Sequence, residues 1–77
     1  MSDSFRIKVN LPGRSTQEFG PYGSIGAANK AATRVQATLE SAWRREPRST
    51  ASLWIEREDD KGRWVSVGGV TEFEIGK

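Results

Sequence analysis

The chain alternates between apolar and polar positions with a period that changes twice. Phe5, Ile7, Val9 and Leu11 alternate with Arg6, Lys8 and Asn10, the period of two expected of a strand with one buried face. Pro12-Gly13 follows, with proline presetting the first turn angle and glycine accepting a positive φ, and a second, shorter strand is expected over about Thr16 to Phe19. From Ser24 to Arg45 the period lengthens to that of a helix. Ile25, Ala28, Ala32, Val35, Leu39 and Ala42 fall on one face with Trp43 at its edge, and Lys30, Arg34, Ala37, Ser41 and Arg44 line the opposite side. Ser24 is the expected N-cap, and Pro47 cannot continue the helix. The period of two then returns. Ala51, Leu53 and Ile55 alternate with Ser52, Trp54 and Glu56 in a third strand, Arg63 to Val67 form a fourth, and Thr71, Phe73 and Ile75 alternate with Glu72 and Glu74 in a fifth.

Parity selects the turn between the third and fourth strands. A three-residue loop, Asp60-Lys61-Gly62, pairs Ile55 with Val67 and Arg57 with Val65 and keeps the aliphatic residues on one face. A four-residue loop places Ile55 opposite Ser66. Gly68-Gly69 is read as a break or bulge. The order β-β-α-β-β-β implies an α+β two-layer domain, an antiparallel sheet of four to five strands packed on one helix, as a single domain over 1–77. The expected core is Phe5, Ile7, Val9, Leu11, Leu53, Ile55, Val65, Val67, Phe73 and Ile75 under the helix.

Composition narrows the chemistry. With no cysteine and no histidine there is no disulfide, no thiolate nucleophile and no usual zinc site or general base. No metal or cofactor is expected, no glycine run matches a dinucleotide or phosphate loop, and no small-molecule substrate site is evident. Glu56, Glu58, Glu72 and Glu74 would act as acid–base pairs only if held together in a pocket, whereas parity places them on an open sheet face. No apolar run reaches the length of a membrane span, and the first residues carry no export signal, so a cytoplasmic protein without a membrane partner is expected. Lysine and arginine outnumber acidic residues by 12 to 10, a mild balance for a dedicated nucleic-acid binder.

Two surfaces remain as candidates. The sheet face turned away from the helix carries two tryptophans, Trp54 and Trp64, with Arg6, Lys8 and Glu56 around them. Large aromatics outside the core mark an anchor for a protein partner or a homodimer contact. On the helix side, Lys30, Arg34 and Arg44, extended by Arg45 and Arg48, form a basic ridge suited to a phosphate backbone, the nucleic-acid alternative. The two lie on opposite sides of the domain, so one nucleic acid would not use both.

Phe19-Gly20-Pro21-Tyr22-Gly23, followed by Ala28, Ala32 and Val35, resembles the layout of many small proteins of actinobacterial phages. Those set a short hairpin, a Gly-Pro-aromatic corner and an alanine- and arginine-rich helix ahead of a hairpin bearing tryptophan. The resemblance implies a bacteriophage origin and, for such a protein, the cytoplasm of the host. The corner is also similar to the Gly-Pro-Phe segment of peptidoglycan-binding SPOR domains, but that family has two helices and an extracytoplasmic address, where this sequence shows one helix. The expectation is a small non-enzymatic binding module, acting on a protein partner through the tryptophan face.

Overall fold

A computed structural model describes residues 4–76. Its elements are β1 (Phe5–Asn10), β2 (Gln17–Tyr22), α1 (Ile25–Ala42), β3 (Ser49–Glu58) and β4 (Trp64–Ile75). The four strands form one sheet in the order β2-β1-β3-β4, each neighbouring pair antiparallel, with α1 packed across one face. This is the α+β two-layer arrangement that the periods of two and 3.6 require.

The turns form where their chemistry dictates. Leu11-Pro12-Gly13-Arg14 closes with Arg14 N–H donating to Leu11 O at 3.0 Å. The β3–β4 loop has the three residues that parity demands: Asp59 N–H donates to Arg63 O, Ile55 pairs with Val67 and Arg57 with Val65. Gly62 takes φ +79° there, and the Asp59 carboxylate accepts from the backbone N–H groups of Lys61 and Arg63, holding the loop from within. Ser24 caps the helix, its side chain accepting from Ala27 N–H at 3.1 Å.

Four expectations are corrected. The fourth and fifth strands are one strand, because Gly68-Gly69-Val70 bulges opposite Trp54 without ending the ladder. Two extra residues on β4, between the Ile55–Val67 and Leu53–Thr71 pairs, leave the inward parity of Val67, Phe73 and Ile75 unchanged. The second strand runs on through the Gly-Pro corner to Tyr22. Gly20 at φ +134° and a cis Gly20-Pro21 bond fit a bulge opposite Arg6, between the Ile7–Phe19 and Phe5–Tyr22 pairs. The helix ends at Ala42 rather than Arg45, Trp43 closing it with its N–H on Leu39 O. Val65, expected inside, is 51% exposed, and Val67 is only half-buried. An 18-residue helix spans about 27 Å and a 12-residue strand about 40 Å, so α1 covers Phe73 and Ile75 and leaves the Trp64 end of β4 overhanging.

The core between helix and sheet is aliphatic: Ile7, Val9 and Leu11 are essentially sealed, with Leu53, Ile55, Phe73 and Ile75 beside them. Alanines 28, 31 and 32 face it from α1, and their small size lets the helix lie close to the strands.

Candidate functional site

The face of the sheet opposite α1 is built by the polar half of each alternation. β1 contributes Arg6 and Lys8, β2 contributes Glu18, β3 contributes Trp54 and Glu56, and β4 contributes Trp64. Arg6 pairs across the ladder with Glu56, and Lys8 pairs with Trp54 on one side and Glu18 on the other. The register thus brings together all five residues expected there: Arg6, Lys8, Trp54, Glu56 and Trp64.

Arg6 is the hub. Its Nε donates to Glu56 Oε1 at 2.7 Å, and its Nη1 lies 3.1 Å from Glu18 Oε2. Its guanidinium lies 4.2 Å from the centroid of the Trp64 ring, so the indole of β4 leans back over β3 toward β1. Lys8 Nζ shares Glu18 at 3.4 Å, and Trp54 Nε1 donates to Glu56 Oε2 at 3.1 Å. Partial burial pushes the Glu56 carboxyl up. Hydrogen bonds from Arg6 and Trp54, with the charges of Arg6 and Lys8, outweigh that and hold it below the ordinary carboxylate value. Two cations and two carboxylates make the cluster neutral.

The two tryptophans differ. Both are half-buried, but the Trp54 indole N–H is bound to Glu56, whereas that of Trp64 has no hydrogen-bond acceptor among the described residues. Trp64 also walls an open hollow of about 270 Å³ with Arg6, Glu18, Phe19, Gly20 and Pro21. Sequence reasoning missed Glu18 and the Gly20-Pro21 wall. The hairpin register that sets Glu18 across from Lys8 was the available signal.

The remaining carboxylates do not gather. Along β3, Glu72 lies opposite Ser52 and Glu74 opposite Thr50, four and six residues from Glu56, which is about 13 Å or more of strand. No group of three or more carboxylates able to hold a metal ion occurs among the described residues. On the helix side, Lys30 and Arg34 are exposed on α1, and Arg44 and Arg45 follow its last turn. None of these four makes an ion pair among the described residues. Arg48 is drawn away from the ridge: its Nε donates to Glu74 Oε2 at 2.8 Å, with Nη2 on the same oxygen. Trp43 lies under the Arg14 guanidinium, 4.4 Å from its ring centroid, and fastens the first turn to the helix end. No described helix is long and apolar enough to cross a membrane. Comparison of the chain with protein-family models, with curated proteins and with solved structures finds no match in any of the three.

Proposed function

We propose that this chain is a small, non-enzymatic binding module of phage type that captures a protein partner on its tryptophan-bearing sheet face. The observation that carries the reading is Trp64: a half-exposed indole, stacked on Arg6 and walling a hollow with Pro21 and Phe19, whose N–H is available to a partner's acceptor. Tryptophan and arginine are among the residues that most often anchor protein interfaces; tryptophan brings a large flat surface at small entropic cost, and Arg6 is already held in place by Glu18, Glu56 and the Trp64 ring. Neutrality supports a protein partner over a nucleic acid on this face, since Arg6 and Lys8 are already matched by Glu18 and Glu56. Trp54, Lys8 and Glu56 hold the anchor in place from the adjoining strands.

The test is affinity capture from the native host with the intact chain and with a Trp54→Ala/Trp64→Ala variant whose fold is checked by circular dichroism. A partner held by the former and lost by the latter supports the reading. A partner retained equally by both removes the face from consideration.

A second reading rests on the four exposed cations Lys30, Arg34, Arg44 and Arg45, which have no acidic partners among the described residues. They suit phosphate contacts on a nucleic acid. Neutralising about four phosphates makes affinity fall more than tenfold between about 50 and 200 mM salt. Fluorescence anisotropy of labelled DNA at those two salt concentrations, with Arg34→Ala/Arg44→Ala as control, separates the readings.

A further inference from the structure

The hub does not match every charge on the outer face of the sheet. Three cations stand there, Arg6, Lys8 and Arg48, against five carboxylates, Glu18, Glu56, Glu58, Glu72 and Glu74. Arg6 and Lys8 are taken up by Glu18 and Glu56, and Arg48 by Glu74. Glu58 and Glu72 are exposed and make no ion pair among the described residues. The β3–β4 loop does not offset them, since its Lys61 and Arg63 are balanced by Asp59 and Asp60. Each unmatched carboxylate neighbours an indole. Glu58 lies directly across the ladder from Trp64, and Glu72 lies across from Ser52, one outward position along β3 from Trp54. The helix side carries the opposite excess, Lys30, Arg34, Arg44 and Arg45 against Glu40 and Glu46.

An indole beside a carboxylate draws a cation twice, through the negative face of the ring and through the charge itself. The hub shows the pattern already filled. The Arg6 guanidinium lies 4.2 Å from the Trp64 ring centroid, and its Nε lies 2.7 Å from Glu56. Over the Trp54 ring no cation lies among the described residues. On the reading of this face as a protein-binding surface, on which the inference rests, we infer that the partner segment it takes is basic. Arginine or lysine side chains of that segment sit beside the two indoles, against Glu58 and Glu72. The two carboxylates mark the length of the segment. Glu58 and Ser52, the residue across from Glu72, are six residues apart on β3, about 20 Å of strand. An extended segment with two cations at that same spacing spans this length and keeps both on one side. Uncharged residues between them pass over the self-neutral hub and the hollow beside Trp64. A nucleic acid is repelled by the excess negative charge, and an acidic segment finds no unmatched cation on this face.

The test is fluorescence anisotropy of labelled synthetic peptides titrated with the intact chain at low salt. The probes are a serine–valine peptide with two arginines set about 20 Å apart when extended, and the same peptide with glutamine or glutamate in their place. The arginine peptide should bind about tenfold more tightly than the glutamine one, and the glutamate peptide should not bind. Glu58→Gln and Glu72→Gln, at exposed positions that leave the core untouched, should each weaken the arginine peptide about two- to fivefold. Arg34→Ala/Arg44→Ala, on the far side of the domain, should change nothing. Equal binding of the arginine and glutamine peptides overturns the inference, as does indifference to both glutamate variants or no binding of the arginine peptide at about 1 mM chain. Self-association at low salt that Arg34→Ala/Arg44→Ala abolishes overturns it too, because the occupant is then the helix ridge of a second copy. None of these outcomes removes the reading of the face as a binding surface, which falls only if the host partner is retained by Trp54→Ala/Trp64→Ala.

Discussion

The two faces of the central strands obey different rules although they are made by alternate residues of the same segments. Toward α1, Ile7 and Val9 of β1 and Leu53 and Ile55 of β3 form a dry layer with no buried polar or charged group among the described residues. Away from α1, Arg6 and Lys8, with Trp54 and Glu56, form a layer of ion pairs and indole contacts open to water. The first layer is held by shape and the exclusion of water, so losing any member opens a cavity. The second is held by matched charges that solvent screens, so its members can change with little effect on the fold. Residues on that face are thus free of the duty of holding the domain together.

Four measurements sharpen or break this contrast. Ile7→Ala, on the dry face at 0% exposure, should cost about 2–5 kcal/mol in chemical denaturation, enough to unfold much of a chain this size. Arg6→Ala, one residue away on the wet face, removes two carboxylate contacts and the stacking on Trp64. It should cost only about 1–2 kcal/mol in the same experiment, because these groups are partly hydrated. A loss equal to that of Ile7→Ala would break the distinction between the faces. The third measurement is the thermal midpoint against pH. Glu56 titrates lower in the folded chain than in the unfolded one, so its stabilisation is complete above the unfolded value and fades as pH falls through the folded value. The midpoint should therefore drop on acidification below about pH 4.5, and Glu56→Gln should flatten that limb. Lys8→Ala has the smallest expected effect, within about 0.5 kcal/mol, since its contact at 3.4 Å is with an exposed Glu18.

The same contrast explains what was legible in the sequence. Period-two alternation fixes which side of a strand a residue takes, so Arg6, Lys8, Trp54, Glu56 and Trp64 could be placed on one face before any coordinates. The loop Asp60-Lys61-Gly62 fixed the β3–β4 register for the same reason: parity is local. Adjacency of distant strands is not local. That β1 lies between β2 and β3, setting Arg6 against Glu56 fifty residues away, depends on how the whole sheet closes. The hub of the outer face was therefore hidden although all of its members but Glu18 had been placed on that face. Gly68-Gly69 read as a break or a bulge because glycine weakens a strand, and the structure has the bulge, in which an even number of extra residues bends the ladder without changing its faces. The exposure of Val65 was invisible for another reason. It depends on how far α1 reaches, a length compared between two elements and not a pattern within either.

The connectivity of the sheet also sets the order of assembly. β3 and β4 are joined by a loop of three residues that Asp59 pre-shapes, so this hairpin closes at little entropic cost, on the microsecond scale known for such turns. β1 and β2 form a second local hairpin around Pro12-Gly13. The step that unites them is the zippering of β1 onto β3, across a connection containing all of α1, and it closes the strand pairs of greatest sequence separation. Loop-closure entropy thus concentrates at one seam, between two hairpins that are each local in sequence.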